Sequence, residues 1–284
     1  MTWSDGTWWS NDGLRLHYRD YPGRNDRPPV LCLPGLTRNA RDFEGVAERL
    51  AGNWRVICPS FRGRGDSAYA KDPLSYVPLT YVQDIERLLQ ELGVRRFVAI
   101  GTSLGGIVAM LLAAGGVQRL AAIVLNDIGP TIEAAGLSRI RGYVGKSAAY
   151  PTWVHAARAT ADNNKAVYPD YRLADWIAMA KRLYRLTGAG RVVPDYDMRI
   201  AEPFRLPGGE AGVDLWPAFS ALADVPALFV RGERSDVLSD ATLAHMLAQA
   251  RQAQAVVVPR VGHAPTLEEP IVAQAIDMLL ERAK

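Results

Sequence analysis

Thiols, histidines and long apolar stretches are all scarce in this sequence. Two cysteines in 284 residues cannot make the dense disulfide framework of a small secreted module. Cys32 and Cys58 each lie in a short apolar run that reads as a buried strand, so each is read as a small buried hydrophobe. A bond between them would require those strands to be neighbours with suitable geometry. No run stays apolar long enough to cross a bilayer, and the start, Met1-Thr-Trp-Ser-Asp-Gly6, lacks a basic segment followed by an apolar one. A cytoplasmic protein without a membrane partner is expected. A long Lys/Arg run is missing too: 33 basic residues against 30 acidic ones leave a net charge of +3, which argues against nucleic acid as a partner. No clustered His, Cys and carboxylate spacing suggests a metal site, and neither repeats nor low-complexity segments occur.

What is present suits one sizeable core. A hydrophobic fraction of 49% with 22% charged residues allows burial to offset the entropy of ordering the chain, and the length favours a large core carrying an insertion over two independent domains. The first part reads as a hairpin, with Thr7–Ser10 and Leu14–Tyr18 separated by the turn signal Asn11-Asp12-Gly13. Short apolar strands then alternate with helical patterns. Pro29–Leu33 is followed by a helix through Phe43, Val46, Ala47 and Leu50. Arg55–Cys58 is followed by a helix carrying Val82, Ile85, Leu88 and Leu89. Phe97–Ile100 precedes the helix Leu104–Ala114, and Leu120–Leu125 is another strand. This is α/β patterning, a mainly parallel sheet wrapped by helices.

The rhythm breaks after about Gly129. Helical stretches such as Leu173, Ile177, Ala180 and Leu183 are interrupted by Gly188, Pro194, Pro203, Pro207 and Gly208-Gly209, and this segment reads as an inserted helical cap. The predicted division is a core of residues 1–129 and 223–284 with a cap over 130–222. Strand and helix then alternate again, with Ala227–Val230, a helix from Asp240 to Ala250, the strand Ala255–Val258 and a last helix from Pro270.

Gly101-Thr-Ser103-Leu-Gly105 matches the G-x-S-x-G nucleophile elbow, between an apolar strand and an apolar helix. A serine there must project its hydroxyl from a tight turn, and glycines two residues either side remove side chains that would collide. The following helix N-terminus favours developing negative charge. A serine hydroxyl is a weak nucleophile until a base takes its proton, and the base needs an acid to fix its tautomer. Of the four histidines, His17 lies in the hairpin, His155 in the cap and His245 in a helix; His263 alone follows a parallel strand in a loop, Pro259–Pro265. Asp236, in Arg231-Gly-Glu-Arg-Ser-Asp236, is the expected acid, in the chain order Ser, Asp, His. Its rivals are Asp127, just beyond the strand ending at Leu125, and Glu233. Attack on a carbonyl moves charge onto oxygen, so two backbone donors are needed. The predicted pair are the amides of Leu104, directly after the nucleophile, and Leu36, which Gly35 lets turn inward after the donor-less Pro34.

Together these residues resemble the α/β-hydrolase superfamily, especially its cap-bearing esterase, lactonase and carbon–carbon hydrolase members. Gly101–Gly106, Arg62-Gly-Arg-Gly65 with Ser67, Asn126-Asp-Ile-Gly-Pro130, Arg231–Asp236 and Gly262-His-Ala-Pro265 stand where the family carries its signatures. Two positions depart from it: Pro34 where many relatives have histidine, and Ser60 where they often have aspartate. The resemblance implies an eight-stranded, mainly parallel sheet and no cofactor. It speaks against epoxide hydrolase and dehalogenase chemistry, which places an aspartate where Ser103 stands. The expected function is hydrolysis of a small or medium carboxylic ester or lactone by an acyl-enzyme route. Alternatives are a carbon–carbon hydrolase acting on a diketone-like acid and a non-catalytic ligand-binding relative. In the cap, Trp153, Trp176 and Trp216 suggest an apolar cleft or the cap's own core, and Arg182 and Arg185, which could meet a carboxylate, are read first as solvated charges.

Overall fold

The structure, a computed structural model, describes residues 3–205 and 214–283. Pro207 and Gly208-Gly209 therefore lie outside the described residues. In chain order the elements begin with the hairpin β1 (Ser4–Trp9) and β2 (Arg15–Tyr21), then β3 (Val30–Leu33), α1 (Glu44–Leu50), β4 (Val56–Ser60) and α2 (Pro78–Glu91). They continue with β5 (Phe97–Thr102), α3 (Leu104–Gly116) and β6 (Leu120–Asn126). The insertion carries α4 (Ala134–Tyr143), α5 (Trp153–Asn164), α6 (Leu173–Leu183), the two short strands β7 (Tyr184–Leu186) and β8 (Val192–Pro194), and α7 (Trp216–Ser220). The chain closes with β9 (Ala227–Gly232), α8 (Asp240–Gln249), β10 (Ala253–Val258) and α9 (Pro270–Glu281).

Eight strands form one sheet in the order β1-β2-β4-β3-β5-β6-β9-β10, antiparallel at the β1/β2 and β2/β4 pairs and parallel elsewhere. The continuous apolar runs follow from burial on both faces. In β5, Phe97 and Ala99 join one apolar cluster while Val98 and Ile100 join the other; β6 divides Ile123 and Leu125 from Ala122 and Val124 in the same way. Helices α2, α3 and α8 cover the first face through Ile85, Val108 and Met246, and α1 and α9 cover the second through Val46 and Ile276. With both faces covered, a strand has no solvent side on which to alternate.

The two cysteines lie on the adjacent strands β3 and β4 and are free thiols. Burial, and then the neighbouring Cys58, push the Cys32 thiol well above its ordinary range. At the hairpin end a buried ion pair joins three parts of the chain: Arg62, just after β4, donates to Asp84 of α2 at 2.7 Å twice and to Asp12 of the β1–β2 turn at 2.9 Å twice. Paired bidentately on both sides, this buried guanidinium escapes the penalty of an uncompensated charge. Among the described residues no helix is long and apolar enough to cross a membrane.

The parallel order delivers the functional loops to one rim. Gly35 and Leu36 follow β3, Ser103 follows β5, Asp127 follows β6, Asp236 follows β9 and His263 follows β10, each at the carboxyl end of its strand.

Candidate active site

Ser103 joins β5 to α3 with φ 52° and ψ −117°, a region that costs an L-residue about 1–3 kcal/mol. Hydrogen bonds over-determine the turn. The Ser103 amide donates to the Asn126 carbonyl (3.0 Å), and the Gly106 amide donates to the Ser103 carbonyl (2.9 Å). The flanking glycines are required by close approach rather than by their own dihedrals. A Cβ on Gly101 would stand 2.5 Å from the backbone of Gly105, and one on Gly105 would stand 1.9 Å from the Leu33 carbonyl oxygen. Both distances lie far inside contact, so α3 can begin directly above the ends of β3 and β5 only with glycine at these positions.

His263 meets Ser103. Its Nε2 is 2.9 Å from Ser103 Oγ, and its Nδ1 is 2.8 Å from Asp127 Oδ2. An ionised carboxylate only accepts, so Nδ1 carries the hydrogen and Nε2 is left to accept the serine proton. Three bonds hold the histidine loop in place. The Gly262 amide donates to the Val167 carbonyl (2.9 Å), Tyr168 Oη donates to the Ala264 carbonyl (2.6 Å), and Asn126 Nδ2 donates to the Pro265 carbonyl (2.8 Å). Two of the three partners, Val167 and Tyr168, come from the insertion, so that segment helps to fix the imidazole.

The expected His263–Asp236 pair is corrected by this geometry. Asp236 accepts instead from Arg139 of α4, which donates Nε at 2.5 Å and Nη2 at 2.8 Å. The Arg139 hydrogen bond, working against burial, holds the Asp236 carboxyl below its ordinary range. Asp127, the rival in the sequence, takes the position on His263. It is fully buried, and a positive φ of 54° at the end of β6 turns its side chain inward. Its Oδ1 accepts from the Gly232 amide (2.7 Å), and its Oδ2 accepts from Ser235 Oγ (2.6 Å) as well as from His263. The adjacent parallel strands β6 and β9 end at the same rim, but only Asp127 bonds the imidazole among the described residues, and Asp236 is paired with Arg139 of the insertion instead. Glu233 is engaged elsewhere, accepting from the Arg260 amide at 2.6 Å.

The other histidines stay away from the serine: His17 meets Asp5, His155 meets Thr152, and His245 meets Gln249. The amides of Leu36, in the loop after β3, and Leu104, the first residue of α3, make no hydrogen bond among the described residues. Arg64, whose guanidinium is buried, donates Nε to the Leu36 carbonyl at 2.8 Å and so props the loop after β3. Ser60 fills its place by accepting from the Ala40 amide (3.1 Å), while Ser67 Oγ donates to the Ser60 carbonyl (2.6 Å). Sequence reasoning passed over Arg64, Ser235 and Asn126 as positioning groups, although each lies inside a segment singled out as a family signature.

A cavity of about 490 Å³ opens over Ser103 and His263, between the strand ends and the insertion. Tyr143, Tyr150, Tyr168, Tyr184 and Tyr196 line it together with Leu36, Ile140 and Met179. The three tryptophans do not. Trp176 and Trp153 pack in the insertion's own apolar cluster, and Trp216 stacks edge-on to Phe219. Arg182 reaches the cavity wall, whereas Arg185 pairs with Asp195 at 3.4 Å. Among the described residues no group of three or more His, Cys, Asp or Glu side chains could hold a metal ion.

Residues 30–275 match the model of the alpha/beta hydrolase family. The chain is similar to an alpha/beta hydrolase of known crystal structure from Novosphingobium aromaticivorans, with 57% identity, a TM-score of 0.95 and 99% of each chain covered. It is also similar to the 3-hydroxybutyrate-oligomer hydrolase of Cupriavidus necator, being 34% identical over 266 residues that span 90% of this chain and 89% of that relative.

Proposed function

The chain belongs to the alpha/beta hydrolase family and is a hydrolase, and we infer that it hydrolyses carboxylic esters with Ser103 as nucleophile, His263 as base and Asp127 as the acid that orients the histidine. The observation that carries this reading is the continuous chain of hydrogen bonds from Ser103 Oγ through His263 to Asp127, at 2.9 and 2.8 Å. In the first step Oγ bonds to the ester carbonyl carbon while its proton passes to His263 Nε2. The C–O bond to the alcohol then breaks, and His263 returns the proton to the departing oxygen. Water next attacks the acyl-enzyme, its proton passes to His263 and then to Ser103 Oγ, and the acid is released.

The amides of Leu36 and Leu104 are the donors for the oxyanion, and removing one such donor typically costs about 2.7–4 kcal/mol. The described residues of the 130–222 segment act as a cap over the cavity and supply its tyrosines. The Cupriavidus relative supports ester chemistry through its name, since a hydroxy acid can be joined into oligomers by ester bonds. A fluorophosphonate that labels wild type but not Ser103→Ala, with 4-nitrophenyl ester hydrolysis falling at least about 10⁴-fold in that variant, is the expected result. Full activity in Ser103→Ala would refute the mechanism.

A further inference from the structure

The charged side chains of the cavity wall are mostly cationic. Arg38, Arg139, Lys146 and Arg182 line it, against a single acid, Asp42. The carboxylates that pair with Arg139 and Arg182, those of Asp236 and Glu268, are not part of the lining, so the void faces the cationic members of these pairs. Lys146 is exposed and forms no ion pair among the described residues.

Arg38 is the most informative of the four. Its guanidinium carries five N–H groups in a fixed plane, and none of them makes a hydrogen bond among the described residues. Nη1 is buried without one, although Asp42 Oδ1 lies 3.1 Å away. The Arg38 stem and Ser103 both lie close to Gly35: the point where Gly35 would carry a Cβ is 3.4 Å from Arg38 Cγ and 3.9 Å from Ser103 Cβ. Burial opposes the charge and the neighbouring Asp42 carboxylate favours it, and the guanidinium is held above its ordinary range. A partly buried guanidinium, ion-paired to Asp42 but with no hydrogen-bonded donor among the described residues, fits a planar oxyanion, which a carboxylate supplies and a neutral acyl chain does not.

We propose that Arg38 anchors a carboxylate subsite beside Ser103, with Lys146 as a second cation at the same cavity, and that the preferred ester carries a free carboxylate. This rests on the ester-hydrolase reading and adds the substrate class. The carboxylate can belong to the acyl part, as in a dicarboxylic half-ester, or to the alcohol part, as in an acylated hydroxy acid.

Two matched pairs separate these sources: mono-4-nitrophenyl glutarate against 4-nitrophenyl pentanoate, and 3-butyryloxybutyrate against its methyl ester. In wild type the charged member of at least one pair is expected to have a kcat/KM about 10- to 100-fold above its neutral twin, the advantage a charge-assisted bond confers. The ratio within a pair cancels any general loss of catalytic power. In Arg38→Met that ratio falls at least about tenfold, carried by KM rather than kcat, and Arg38→Lys restores part of it. Equal turnover of charged and neutral twins by wild type in both pairs, or an unchanged ratio in Arg38→Met, overturns the proposal. If the Arg38 variants do not fold, the wild-type ratios still decide. Fluorophosphonate labelling of wild type keeps the two readings apart: labelling without a charge preference sinks the carboxylate subsite alone, and no labelling sinks the ester-hydrolase reading.

Discussion

Asp127 is fully buried and accepts three hydrogen bonds, from the Gly232 amide, the Ser235 hydroxyl and the His263 ring. Together these bonds fix the direction of the carboxylate, which is what a residue that orients an imidazole requires. Asp236, one-third exposed, is held by Arg139 instead and makes no hydrogen bond to His263 among the described residues. Replacing Asp127 with Asn exchanges one oxygen for an amide that donates, so the wrong tautomer of His263 is favoured; kcat is expected to fall by about 10⁴-fold with the fold retained. Asp236→Asn is expected to cost less than about tenfold. Steady-state kinetics on a 4-nitrophenyl ester, with near-ultraviolet circular dichroism as the control for fold, checks both. The meeting of Ser103 and His263 was legible in the sequence because each has one structural context, an elbow between strand and helix or a loop beyond a strand. The aspartate that bonds His263 was not, because two aspartates follow neighbouring strands, and the partner of Asp236, Arg139, lies 97 residues away from it.

At the scale of elements the strongest constraint is the approach of α3 to β3 and β5. A methyl group on Gly105 would meet the backbone of Leu33 at 1.9 Å, and no rotamer change relieves a clash with main chain. Gly105→Ala is therefore expected to lower the thermal midpoint by roughly 5 °C or more, and calorimetry measures it. The strands of the parallel sheet could be read from sequence because burial on both faces makes them short, continuous apolar runs. The pair β7 and β8 could not. Each is three residues long, and Tyr184-Arg-Leu186 is half exposed with no alternation to detect, so its register against Val192–Pro194 comes from tertiary packing. The cap tryptophans show the same limit: composition placed aromatics in the insertion, but only packing shows that tyrosines line the cavity while Trp176 is buried among Tyr168 and Tyr171.

Across the whole molecule, the insertion is tied to the core by ion pairs. Arg139 pairs with Asp236, Arg182 with Glu268 at 3.1 Å, and Arg260 with Asp170 at 2.5 Å, each pair joining residues 130–222 to the rest of the chain. Most of these side chains are partly exposed, so each pair contributes only a small stabilisation after solvent screening. The contribution of the Arg139–Asp236 pair has a defined pH dependence. The Asp236 carboxyl is lowered from its ordinary value of 3.8, chiefly by the Arg139 hydrogen bond and against the effect of burial. A folded pKa below the unfolded one stabilises the protein above the unfolded value, and that stabilisation is lost as pH falls through the folded one. Wild type should therefore melt above Asp236→Asn near neutral pH, and the two midpoints should converge as the buffer is taken below pH 3.8. A gap that widens in acid would mean that Asp236 is destabilised by its surroundings, and Arg139 could then not be the group that draws it away from His263.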